Sequence, residues 1–148
     1  MKKFLIINGP NLNLLGTREP EIYGSNTLAD VKVACETRAA ACSLTIEFRQ
    51  SNHEGDLIDW IQEAREHGGA VILNAAGLSH TSVALHDALK TLMIPAIEVH
   101  LSNPHKREAF RHHSYITPVS HGVIAGFGMK SYVLAVEAAA ELIDAQNK

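Results

Sequence analysis

AVILNAAGLSHTSVALHDALKTLMIPAIEVH, residues 70–100, decides the fold. An apolar run closes at Asn74, and a small-residue turn, AAGLSH, follows it. TSVALHDALKTL (81–92) then places Ala84, Leu85, Ala88, Leu89 and Leu92 along one helical stripe, and a second apolar run begins at Ala96. Short apolar runs without alternation read as strands buried on both faces, and a helix between two of them reads as a crossover joining parallel neighbours.

The same unit recurs on either side. Upstream, FLIIN (4–8) precedes a helix from about Leu28, with Thr27 as N-cap and Asp30 closing a capping box. LTIEFRQ (44–50) alternates apolar and polar residues, as a half-exposed or edge strand does. DLIDWIQEAREH (56–67) follows as a helix, and Gly68-Gly69 is the expected C-cap. Downstream, GVIAG (122–126) leads into a last helix, SYVLAVEAAAELIDA (131–145), and REAFRHH (107–113) reads as a short helix in the polar stretch between. Five strands alternating with helices give an α/β three-layer sandwich, a doubly wound parallel sheet with helices on both faces. The 148 residues suit one domain, with no repeat, low-complexity segment or linker.

Composition excludes several classes. A net charge of -3 gives no basic footprint for nucleic acid or an anionic membrane. No apolar run approaches the ~18 residues of a membrane span, and MKKFLIINGP is too short in apolar residues for a signal peptide, so a cytoplasmic setting is expected. Cys35 and Cys42 sit in one helical stretch that holds them too far apart to bridge.

In such sheets ligands bind beyond the carboxyl ends of the strands. Asn11, Asn13, Arg18, Tyr23, Asn74, His80, His100 and Ser102 should therefore converge on one edge. NGPNLNLLGTREPEIYG (8–24), rich in Asn, Gly and Pro, hangs off the first strand there and reads as a shaped lid.

Glu98 and His100 are one residue apart on a strand, so both leave the same face. A carboxylate beside an imidazole orients it and fixes its tautomer, which is how a general acid near neutral pH is assembled. The competing readings are a structural pair closing the strand end and half of a metal site.

Arg18 and Tyr23 share the lid. A tyrosine serves as a base only well below its reference pKa of ~10, and a guanidinium is the most direct way to lower it. Taken alone, the pair reads rather as a surface arginine with a tyrosine packed under the loop. His80 and Asp87 lie two helical turns apart if the helix begins near His80, with Asp87 off the apolar stripe and able to reach a neighbouring subunit or only solvent. Arg107 and Arg111, four apart on the expected short helix, suit a carboxylate substrate, or simply make a solvated charged face. His112 and His113 read as surface residues.

GFGMKS (126–131) lacks the third glycine of a dinucleotide fingerprint and reads as a tight strand-to-helix turn. Nine histidines include no H-E-x-x-H spacing, so no metal is expected. Lys2, Lys3, Lys32, Lys90, Lys106, Lys130 and Lys148 all lie outside the apolar strand runs, which argues against imine chemistry, and no G-x-S-x-G elbow occurs. What remains is an acid, a possible tyrosinate base, cations for a carboxylate, and Asn amides. Those parts suit proton abstraction beside a carbonyl followed by loss of water.

NGPNLNLLGTREPEIYG, IEVHLSN, KREAFRHHSYI, HTSVALHDAL and GFGMKSYVLAVEA together resemble type II 3-dehydroquinate dehydratase over essentially the whole chain. The resemblance implies a flavodoxin-like fold and a homododecamer of four trimers. It implies cofactor-free, reversible dehydration of 3-dehydroquinate to 3-dehydroshikimate through an enolate, in the shikimate pathway or in quinate breakdown. By the same resemblance Tyr23 is the base, Arg18 its activator, and Asn11 holds a water near the enolate. His100, oriented by Glu98, is the acid. Asn74, His80, Leu101, Ser102 and Arg111 touch substrate, Asp87 reaches an adjacent subunit's site, and Arg107 contacts the lid. Two places depart from the family pattern: Ala75–Ser79 lacks the usual proline, and His86 stands where Arg is expected. A different class, an FMN- or phosphate-binding protein of the same fold, would need a Ser/Thr/Gly phosphate cradle after the first strand, where this chain is Asn-, Pro- and Arg-rich.

Overall fold

The computed structural model describes residues 3–146. Five strands, β1 (Lys3–Asn8), β2 (Thr45–Gln50), β3 (Gly68–Asn74), β4 (Ala96–His100) and β5 (Gly122–Ala125), form one sheet in the order β2-β1-β3-β4-β5. Every pairing is parallel. The helices are α1 (Pro20–Tyr23), α2 (Leu28–Ala41), α3 (Glu54–His67), α4 (Val83–Lys90) and α5 (Met129–Gln146). This is the flavodoxin-like arrangement, whose winding reverses at β1 and β3 and leaves a crevice there.

The alternation of β1 divides the core. Phe4 and Ile6 pack with Val31, Cys35 and Ala39 of α2 and with Tyr132, Ala135, Val136 and Ala139 of α5. Leu5 and Ile7 pack on the other face with Leu57, Ile61 and Ala64 of α3 and Leu85, Ala88 and Leu89 of α4. Both faces of β1 and β3 are thus covered, which is why their sequences are apolar without alternation. β2 pairs only with β1, as its mixed pattern requires.

Four local expectations change. Gly68 is extended (φ -87, ψ 155) and opens β3 directly, so α3 runs into the strand without a left-handed cap. α4 starts at Val83 under a Ser82 cap, and His80 belongs to a preceding 3-10 turn, Ala76–His80. Residues 104–111 form two 3-10 turns, Pro104–Lys106 and Ala109–Arg111, with Arg107 extended between them. No continuous helical face carries Arg107 and Arg111. The capping box of α2 forms as the sequence indicates, with Thr27 Oγ1 accepting from Asp30 N–H and the Asp30 carboxylate accepting from Thr27 N–H.

Candidate active site

Three adjacent strands end at one cavity, and the chain beyond each supplies its wall. After β1 come Pro10, Asn11, Leu12, Arg18 and Tyr23; after β3, Asn74, Ala76, Gly77 and His80; after β4, His100, Leu101, Ser102, Pro104, Arg107 and Arg111. Of the residues expected to converge, Asn13 stays exposed outside the cavity; Asp87, expected off the apolar stripe, is exposed on α4.

The crevice floor is built by close backbone approach. Gly9 N–H donates to the Asn74 carbonyl at 2.8 Å. A Cβ on Gly9 would lie 2.7 Å from the Ala75 carbonyl oxygen, so only glycine fits. Beneath it, the fully buried Tyr132 hydroxyl donates to Asn8 Oδ1 (2.6 Å) and accepts from Asn74 Nδ2 (2.9 Å). Asn74 Oδ1 accepts from Ala76 N–H at 3.1 Å. Asn74 therefore keeps one amide proton free for a ligand. The turn holds Ala76 at φ 53, a left-handed conformation that a non-glycine residue adopts at a cost. Asn11, also left-handed at φ 71, donates its N–H to Asn52 Oδ1.

The lid is anchored by Leu12 and Leu15, both buried. Beyond them Arg18 Cζ lies 5.2 Å from the centre of the Tyr23 ring, and Arg107 Cζ lies 4.9 Å from it. Arg107 Nη1 also donates to Ser102 Oγ at 3.4 Å. Two permanent cations thus flank one phenol.

Across the cavity, His100 Nε2 bonds Glu98 Oε2 at 2.6 Å, with Glu98 almost fully buried. Burial alone pushes the Glu98 carboxyl up. The hydrogen bond and charge of His100, with hydroxyls from Thr117 and Ser114, outweigh burial and hold it below the usual carboxylate range. Ionised at neutral pH, it accepts from the imidazole.

His80 Nδ1 bonds the His113 carbonyl at 2.8 Å. Burial pushes the His80 imidazole down, and the charges of His100 and Arg111 lower it further, against the raising effect of the His113 bond. Arg111 Nε is held by Glu108.

Sequence reading did not single out Ser114, Thr117, Asn8 or Tyr132. The first two lie sixteen and nineteen residues from Glu98, and only closure of the 101–117 segment brings them to it. A buried-strand pattern ending in Asn was the available sign for Asn8, since a polar group buried there needs a partner.

Residues 2–140 match the family model described as Dehydroquinase class II. This chain belongs to the class II dehydroquinase family. It is similar to the 3-dehydroquinate dehydratase of Caulobacter vibrioides, 59% identical over 98% of this chain and 99% of the relative. Among solved structures it resembles the type II dehydroquinases of Propionibacterium acnes (TM-score 0.92, 42% identity, 95% of this chain and 97% of that one) and Butyrivibrio crossotus (TM-score 0.91, 41% identity, 93% and 97%). Within this dehydroquinase fold, the turn without proline is held by the Asn74–Ala76 and Gly9–Asn74 bonds. His86 bonds the Tyr115 carbonyl through Nδ1 at 2.7 Å.

Among the described residues no three His, Cys, Asp or Glu side chains gather as a metal cage, and no helix is long and apolar enough to cross a membrane.

Proposed function

We propose that this chain is a 3-dehydroquinate dehydratase that converts 3-dehydroquinate to 3-dehydroshikimate, serving the shikimate route to aromatic amino acids. The observation that carries the reading is the opposition, in one cavity, of the buried Glu98–His100 pair and a tyrosine flanked by two guanidiniums. The family match supports it over the FMN-binding alternative.

The chemistry follows from these parts. Tyr23, as phenolate, takes a proton from the carbon beside the ketone, and the C–H electron pair becomes the enolate. Arg18, with Arg107 beside it, stabilises the negative charge on the phenol oxygen before transfer. Asn11 holds a water that donates to the enolate oxygen. The enolate then re-forms the ketone and expels the β-hydroxyl, which His100 protonates so that it leaves as water. One proton has moved to Tyr23, one has left His100, and a conjugated enone remains. Glu98 orients His100. Arg111, Ser102, Leu101, His80 and the free amide proton of Asn74 grip the substrate, Arg111 bidentately where it meets the carboxylate.

Assembly into a dodecamer of four trimers belongs to the same reading. Asp87 is exposed on its own chain and does not line its own cavity, so its contribution requires a neighbouring subunit.

The decisive experiment mixes the protein with 3-dehydroquinate and follows ultraviolet absorbance of the enone. Wild type should generate it, and Tyr23→Phe should abolish turnover while retaining substrate affinity by calorimetry. Undiminished turnover in Tyr23→Phe would move the base elsewhere, and a folded wild type without enone would refute the assignment.

A further inference from the structure

Glu98 is reached from two directions. His100 bonds Oε2 along β4; Ser114 Oγ donates to the same oxygen at 2.8 Å, and Thr117 Oγ1 bonds Oε1. The Ser114 hydroxyl has no freedom left. Its oxygen accepts the N–H groups of Ile116 (3.0 Å) and Thr117 (3.2 Å), which fills its acceptor capacity, so its single proton goes to Glu98. A carboxylate only accepts. Nε2 of His100 therefore donates, and Nδ1 is the nitrogen left for a ligand.

The turn that carries these hydroxyls is itself pinned. Ile116 is fully buried, Tyr115 N–H donates to the Ser79 carbonyl at 2.8 Å, and Ser120 Oγ donates to the Ile116 carbonyl at 2.8 Å. His86 reaches the Tyr115 carbonyl from α4. The core thus fixes the turn, the turn fixes the carboxylate, and the carboxylate fixes the ring.

We propose that Ser114 and Thr117 are positioning residues that lock the proton inventory of the pair: Glu98 stays a fixed acceptor, His100 keeps its Nε2 proton on it, and the reacting proton is exchanged at Nδ1 alone. Without the two hydroxyls the carboxylate can rotate, and the ring can present either nitrogen to the cavity. The kinetic half of this inference rests on the dehydratase reading; the proton placement does not.

The test uses Ser114→Ala, Thr117→Val, their double variant, and Thr117→Ser as the conservative control. The first readout needs no substrate: nitrogen NMR of histidine-labelled protein, with His100 assigned by its loss in His100→Asn. Wild type and Thr117→Ser should show His100 protonated at Nε2 with a slowly exchanging, far-downfield proton. The double variant should show a tautomer mixture and fast exchange. The second readout is turnover, with kcat falling about 10-fold in each single variant and about 100-fold in the double, as for lost supporting contacts at other sites, and KM unchanged. A folded double variant that keeps the wild-type Nε2 signature overturns the proposal, whatever its kcat. If the double variant does not fold by circular dichroism, each single variant carries the same readout and decides. If wild type makes no enone, the dehydratase reading falls, and the NMR result still decides where the protons sit.

Discussion

Glu98 is nearly inaccessible, and burial alone favours its neutral acid form. Its partners reverse that preference, so the folded chain binds this proton less tightly than the unfolded chain does. The stabilising contribution is therefore complete above the ordinary glutamate pKa of about 4.3 and is lost as pH falls through the lowered folded value. Denaturant titrations of wild type and Glu98→Gln should differ most near pH 7 and converge in acid; a gap that stays constant to pH 3 would show that folding leaves the Glu98 carboxyl unshifted. The cysteines supply a second contrast at this scale. Cys35 is fully buried, and burial, then the Glu36 charge, pushes its thiol up to about 12. Cys42 lies half-buried at the end of α2. A thiol reagent at pH 8 should add once to the native protein, at Cys42, and reach Cys35 only on unfolding; two adducts on folded protein would contradict this. Single residues were legible where chemistry and strand periodicity coincide, as at Glu98 and His100. Ser114 and Thr117 were not, because nothing local marks a hydroxyl that acts on a carboxylate sixteen or nineteen residues away.

Between elements, the Asn8–Tyr132–Asn74 bonds tie β1, β3 and α5 together beneath the cavity. Burial pushes the Tyr132 phenol far up, so it remains a donor at any working pH. Tyr132→Phe removes that hydroxyl and leaves Asn8 Oδ1 and one Asn74 proton unpaired in the interior. The expected loss is about 2 kcal/mol of unfolding free energy, measured by urea denaturation; a loss near zero would mean water takes the hydroxyl's place. Element boundaries were legible where caps and stripes agree, as at Thr27–Asp30. They were not in residues 104–113. There Pro104 and the Asn103 cap favour a 3-10 turn, Phe110 stays largely exposed, and no apolar stripe reaches the core. A segment that short gains too little from packing to offset helix nucleation. In the same way Ser82, by capping, claimed the start of α4 and left His80 outside it.

For the molecule as a whole, alternating strands and helices announced a parallel sheet covered on both sides. The strand order is another matter: periodicity says which strand is an edge, not which strands flank β1, and the flavodoxin-like order came from family resemblance. The position of the site then followed from the reversal at β1 and β3. The lid stands apart from this frame. No residue in 16–30 is buried, and Tyr23 only leans on the core from outside. Segments with so few buried contacts open at a small fraction of the global unfolding free energy. In graded urea, turnover should therefore fail at a lower concentration than the circular dichroism signal of the sheet, giving two midpoints in place of one; coincident midpoints would show the lid to be as strongly held as the strands. An enzyme made this way can be silenced by mild perturbants and recover at once on dilution, since the strands that rebuild its site never separated.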